Sequence, residues 1–99
     1  MRRPRLTEEE IAEASARLPG WTRVGETIMR TYSSKSFRQA IAFVTQVADA
    51  AEEADHHPDI DIRYRKVTLS LTTHDAGGLT VNDFALASAC DSLAHGGKA

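Results

Sequence analysis

Cysteine is almost missing from this chain, and the one present, Cys90, can form no disulfide within it. A structural zinc site built from several thiolates is excluded on the same count. No apolar run approaches the roughly 20 residues that a membrane-crossing helix needs. A basic excess is lacking too: Lys and Arg number 12 against 14 Asp and Glu, for a net charge of −2. That balance argues against a general nucleic-acid binder. Arg2, Arg3 and Arg5 stand beside Pro4 and read as a solvated, frayed end. They are followed by Thr7-Glu8-Glu9-Glu10 and by no apolar stretch, so they do not open a secretory leader, and the cytoplasm is the expected compartment. Aromatics make up only 6% of the chain, so aliphatic and alanine side chains must fill much of the core. There is no internal repeat, linker or low-complexity segment.

What is present suits one domain over residues 1–99, with 1–6 and 95–99 as frayed ends. A chain of 99 residues buries about two-thirds of its unfolded surface, enough for one core without staples. Thr7 with Glu10 forms a helix-start signature, and the spacing predicts a helix over 7–18 with Ile11, Ala12, Ala14 and Leu18 inward, stopped by Pro19-Gly20. Two strands follow, 21–24 and 27–32, joined at Gly25-Glu26. Trp21 is expected in the core, where its indole N–H needs a partner. Ser36 caps the strongest helix, with Phe37, Ala40, Ile41, Val44, Val47, Ala48 and Ala51 at helical spacing. It should end by Asp55, because Pro58 disfavours helical geometry just before it. Ile60, Ile62 and Tyr64 alternate with polar residues and predict a half-buried strand. A turn at Arg65-Lys66 leads to a second clean strand through Val67, Leu69 and Leu71. Thr80 with Asp83 opens a last helix over 80–94, with Val81, Phe84, Ala85, Ser88 and Ala89 as one apolar face, widened by Leu86, Cys90 and Leu93. This order predicts an α+β fold: a four-stranded antiparallel sheet with three helices on one face. An exposed sheet edge would need protection, and self-association is one way to supply it.

Proton-transfer capacity concentrates in Glu52-Glu53-Ala54-Asp55-His56-His57-Pro58-Asp59. Histidine is the usual side chain for moving protons near neutral pH. Glu52 and His56 are four apart and share a helix face if the helix reaches His56, where the carboxylate could orient the imidazole. His74 lies at the end of a strand, before Asp75-Ala76-Gly77-Gly78. On residue chemistry alone, the His-His-Pro segment reads as well as a solvated loop as it does a site. A metal held by His56, His57, His74 and a carboxylate is disfavoured, because adjacent histidines rarely point at one ion. His95 reads as a tail residue. Cys90 reads as a small apolar residue on a helix interior. Ser88 and Ser92 lack the strand-to-helix elbow of a hydrolase nucleophile, and Gly77-Gly78 is too short for a phosphate loop. Asp83 reads as a cap acid that would face a cleft if His74 and this helix start come together.

Glu52-Glu53-Ala54-Asp55-His56-His57-Pro58, then Tyr64, Thr73-His74 and Asp83, resembles the signature of the pterin-4a-carbinolamine dehydratases. Leu18-Pro19-Gly20-Trp21, Phe37…Ala40…Phe43, Leu69-Ser70-Leu71-Thr72-Thr73-His74 and Gly78-Leu79-Thr80…Asp83…Leu86-Ala87 extend the resemblance over nearly the whole chain. It implies four antiparallel strands with three helices on one face, and homodimers or homotetramers paired through sheet edges or helices. The implied activity is dehydration of a 4a-hydroxytetrahydropterin to the quinonoid dihydropterin plus water. That reaction recycles the cofactor of aromatic amino-acid hydroxylases and needs no metal or organic cofactor. By resemblance, His56 and His74 exchange protons during loss of the hydroxyl, His57 holds the substrate, and Glu52 supports the histidines. Asp55, Thr72, Thr73 and Asp75 flank them as pterin contacts, and Asp83 is a supporting acid. Two positions depart from many relatives: Arg65 replaces an Asn after the tyrosine, and Asp59-Ile60 replaces a bulky aromatic. The alternative role is a non-catalytic binding module, a transcription-factor dimerisation partner or a molybdopterin-linked protein.

Overall fold

The computed structural model describes residues 4–96, with side chains as far as Ala94. Arg2, Arg3, the tail 97–99 and the side chain of His95 lie outside the described residues. Thr7 and Glu10 form the expected capping box: the Thr7 hydroxyl accepts from the Glu10 N–H, and the Glu10 carboxylate accepts from the Thr7 N–H. Helix α1 runs Glu8–Ala16, two residues short of Leu18 at its end. It buries Ile11, whereas Ala12, expected inward, faces solvent. Arg5 and Leu6, expected in a frayed end, are tied down: Leu6 N–H donates to Leu79 O at 2.8 Å, and Arg5 pairs with Glu26.

Strands β1 (Thr22–Val24) and β2 (Thr27–Ser33) meet at Gly25, whose φ of +62° is a conformation that glycine adopts without penalty. Helix α2 (Phe37–Ala54) is capped by Ser36 and buries Ala40, Phe43, Val47 and Ala51. Strands β3 (Asp59–Arg63) and β4 (Lys66–Leu71) form a hairpin across Tyr64-Arg65. The turn therefore sits one residue earlier than expected, and Tyr64 occupies it with φ +54° instead of ending the strand. A 3-10 turn (His74–Ala76) then precedes α3 (Val81–Gly96), which extends past the expected Ala94.

The antiparallel sheet has the order β1-β2-β4-β3. Register places Ile28 opposite Leu71 and Tyr32 opposite Val67, so the apolar alternation of both inner strands falls on the helix-covered face. Ile28, Val67, Leu69 and Leu71 are buried there against α2 and α3. Each such side chain contributes about 1.5–3 kcal/mol by leaving water. The fold is thus α+β, with the three helices on one sheet face.

Strand β3 corrects the expectation of a half-buried strand, because all five of its residues are exposed. Ile60 and Ile62 pair with Leu69 and Val67 and share their face. However, β3 is the sheet edge, and among the described residues no strand pairs on its outer side, so Ile60 and Ile62 stay 37% and 38% exposed. The broad apolar face predicted for α3 is buried only on the side of Phe84, Leu86 and Cys90. Leu86, Ala87 and Cys90 are buried with Phe84, while Val81, Ala85 and Ser88 line a cleft of about 470 Å³ shared with Leu6 and α1. Burial, and then the charge of Asp91, push the Cys90 thiol up to about 11, in keeping with a packing role.

Three donors from the sheet side converge on Asp91 Oδ1 of α3. They are Trp21 Nε1–H at 3.1 Å, Arg30 Nη1–H at 3.0 Å and the Tyr32 hydroxyl. This supplies the partner that a buried indole requires. It also explains how a charged residue, Arg30, sits on the core face of β2: it neutralises the helix carboxylate. Gly20 leaves room for that guanidinium, since a Cβ there would lie 2.3 Å from Arg30 Nη1.

Candidate active site

Helix α2 ends on Asp55, which takes the left-handed conformation with φ +52° and ψ +44°. Its N–H donates to Glu52 O, and His56 N–H donates to Ala51 O at 3.0 Å, the double closure of a Schellman ending. Aspartate tolerates this conformation better than most residues. The consequence is directional, since the chain leaves the helix axis one residue before the histidines. His56 therefore does not continue the face of Glu52. The helix stops short of His56, so the condition for a Glu52–His56 pair is not met: Glu52 Oε2 lies 2.6 Å from His57 Nε2 instead, in an exposed pair. Replacing Asp55 by glycine should hold stability within about 0.5 kcal/mol or raise it, whereas valine should cost about 1–2 kcal/mol. Chemical denaturation of the two variants checks this.

His56 turns inward to Asp83. Its Nε2 lies 2.6 Å from Asp83 Oδ1; the imidazole is 12% exposed and the carboxylate fully buried. Asp83 Oδ2 accepts from the Thr80 N–H at 2.9 Å and from the Thr73 hydroxyl at 2.8 Å. Asp83 is therefore the cap acid of α3 and the partner of His56 at once, one oxygen for each duty. The proton positions follow by elimination. An ionised carboxylate only accepts, so His56 Nε2 and Thr73 Oγ1 are donors. With its hydrogen spent, Thr73 Oγ1 accepts from Thr80 Oγ1 at 2.9 Å, and Thr80 Oγ1 accepts from the Asn82 N–H at 3.2 Å. The chain of donors runs one way and ends on Asp83. In neutral His56, the tautomer so fixed leaves Nδ1 as the basic atom.

His74 follows Thr73 directly and opens the 3-10 turn, with an exposed side chain. The turn is cinched at its base by Thr73 N–H to Gly78 O at 3.2 Å and Gly78 N–H to Thr73 O at 3.3 Å. Asp83 thus joins the His56 loop, the residue before His74 and the start of α3. Thr72 faces elsewhere and donates its hydroxyl to Glu26 O at 2.6 Å. Asp55 and Asp75 are exposed, at the α2 exit and in the His74 turn. The Nε2 atoms of His56 and His57 point at different carboxylates, and among the described residues no three His, Cys, Asp or Glu side chains are grouped as a metal site. The sequence signal that underrated Asp83 was its position: a cap acid uses one oxygen on the helix, and the fold decides what reaches the other.

A family model described as pterin 4 alpha carbinolamine dehydratase matches residues 4–93. A Chloroflexus aurantiacus protein assigned by name to the pterin-4-alpha-carbinolamine dehydratases is 60% identical over 90 residues, covering 91% of this chain and 97% of that one. The crystal structure of a Brucella melitensis transcriptional coactivator/pterin dehydratase superposes with a TM-score of 0.87 at 39% identity, over 91% of this chain and 98% of that one. A pterin dehydratase-like protein identified as a RuBisCO assembly factor in the alpha-carboxysome superposes with a TM-score of 0.65 at 26% identity, over 76% and 89%. With the match running from before α1 to within α3 and the histidine signature inside it, this chain belongs to the pterin-4a-carbinolamine dehydratase family.

Proposed function

We propose that the chain dehydrates 4a-hydroxytetrahydropterin to quinonoid dihydropterin plus water, recycling the pterin of aromatic amino-acid hydroxylases in the cytoplasm. The observation that carries this reading is the buried Asp83 holding His56 Nε2, which leaves Nδ1 for proton transfer. The C4a–O bond breaks as one imidazole protonates the leaving hydroxyl, and the other removes a ring N–H proton. His56 and His74 are the exchanging pair. His57, steadied by Glu52, holds the substrate, and Asp55 and Asp75 border it; Thr72, whose hydroxyl is committed to the Glu26 carbonyl, supports the His74 turn and does not contact the ring. Thr73 acts through Asp83, because its hydroxyl hydrogen is already committed there. The test is direct. Purified protein should speed the decay of chemically made 4a-hydroxytetrahydropterin, and folded protein that leaves the buffer rate unchanged would remove the reading.

The chain is expected to act as a homodimer or homotetramer. Ile60 and Ile62 on the edge strand, and Phe37 and Ile41 on α2, leave apolar surface that a second copy would cover. Light scattering should show more than one copy in solution. Ile60→Lys/Ile62→Lys or Phe37→Lys/Ile41→Lys should shift the mass downward.

A second reading, a binding or assembly module, is favoured by the same exposed apolar surface together with the two structural relatives, one a transcriptional coactivator/pterin dehydratase and one a RuBisCO assembly factor. A stoichiometric partner retained by the His56→Ala/His74→Ala double variant would support it over catalysis.

A further inference from the structure

We infer that Arg5 and Glu26, remote from the histidine segment in sequence, form a clamp that positions the His74 turn for catalysis. The inference rests on the dehydratase reading above. The turn between β1 and β2 folds over the segment from Thr72 to Leu79. The Glu26 carbonyl accepts from the Thr72 hydroxyl at 2.6 Å, on one side of His74. The Glu26 side chain lies over Gly78 on the other side, where a Cβ would stand 2.6 Å from Oε1 and 2.8 Å from Arg5 Nε. Arg5 Nη2 pairs with Glu26 Oε2 at 2.7 Å, and the next residue, Leu6, donates its N–H to Leu79 O at 2.8 Å. The His74 turn is therefore gripped just before and just after by two segments that carry no part of the histidine signature.

The grip extends into a chain of charges. Arg23 contacts Glu8 at 2.6 and 3.1 Å and Glu26 Oε1 at 3.8 Å, and so links the clamp to the first turn of α1. Glu26 Oε1 is buried and makes no hydrogen bond among the described residues. A buried acceptor left without a donor costs free energy, so an isolated turn would not choose this placement. The two arginines and the glycine opposite it hold it there. His74 has a short turn and an exposed side chain, so its orientation depends on what fixes its flanks.

Arg5→Ala and Glu26→Gln test the clamp, with Arg5→Lys as the charge-preserving control. Amide exchange at Thr73, Gly77 and Gly78 should rise about three- to fivefold in both variants, as expected for losing a half-exposed ion pair. Exchange in the middle of α2 should stay as in the wild type. The kcat for 4a-hydroxytetrahydropterin should fall by a similar factor at unchanged KM, with Arg5→Lys recovering most of it. About 1 M salt should bring the wild type towards Arg5→Ala, because exposed charges are screened at that concentration. Unchanged turn exchange in both variants would overturn the clamp, as would kcat losses that merely track exchange throughout α2. An inactive wild type would instead remove the dehydratase reading and leave the clamp to be decided by turn exchange. An active wild type with unaltered variants would remove the clamp alone.

Discussion

His74→Ala is expected to lower dehydratase kcat by about 10²–10⁴-fold while leaving stability within about 0.5 kcal/mol of the wild type. Its side chain is exposed, and alanine keeps the backbone of the 3-10 turn, including the carbonyl that accepts from the Gly77 N–H. His56→Ala should lose activity on the same scale but carry a second penalty. It strips Asp83 Oδ1, on a fully buried carboxylate, of its 2.6 Å partner. Removing one partner of a buried polar pair costs about 1–3 kcal/mol. At about 4–8 °C per kcal/mol for a domain of this size, the melting temperature should drop by roughly 5–20 °C. Measuring kcat and thermal unfolding on both variants separates the roles. Equal stability losses would sink the assignment of His56 as the held imidazole and His74 as the open one.

Asp83→Ala should be the most damaging single change at the site. Three donors lose their acceptor together: His56 Nε2, the Thr73 hydroxyl and the Thr80 N–H. One lost cap costs about 1 kcal/mol and each stranded buried donor about 1–3 kcal/mol. With partial relaxation towards water, a total of about 3–4 kcal/mol is expected, read by urea denaturation. Asp83→Asn should cost less, because one amide oxygen can still accept, but it cannot serve both sides as a carboxylate does. Turning its NH₂ towards His56 would force Nε2 to become an acceptor and reverse the tautomer. Asn should therefore separate the effects, with stability partly retained and kcat still reduced by about tenfold or more. An Asp83→Asn protein with wild-type kcat would show that the His56 tautomer is irrelevant to the reaction.

The helices and inner strands were legible in the sequence because their signals are local. The Thr7/Glu10 box, the Ser36 cap, the alternation through Val67, Leu69 and Leu71 and the stop before Pro58 each need only a few neighbouring residues. The same rules misjudged β3. Alternation reports which face Ile60 and Ile62 take, and not whether anything covers that face, which is a property of strand order. In helix α3 the period marked a broad apolar face but not its depth: Phe84, Leu86 and Cys90 are buried, whereas Val81, Ala85 and Ser88 line the cleft that faces α1.

At the site, the sequence by itself determined which residue types are present and that the His56-His57 segment leaves a helix just before Pro58. It also determined that Asp83 sits at the third position of a capped helix, where a carboxylate can bond the cap N–H. Only the tertiary structure decided who partners whom. The left-handed Asp55 redirects the chain, so Glu52 meets His57 while His56 reaches Asp83, 27 positions later. The physical reason is the range of the forces that fix each feature. Caps and periodicity are written in bonds between residues three or four apart. The His56–Asp83 contact and the Arg5–Glu26 grip on Gly78 join separate elements, and they exist only once the core has brought those elements together.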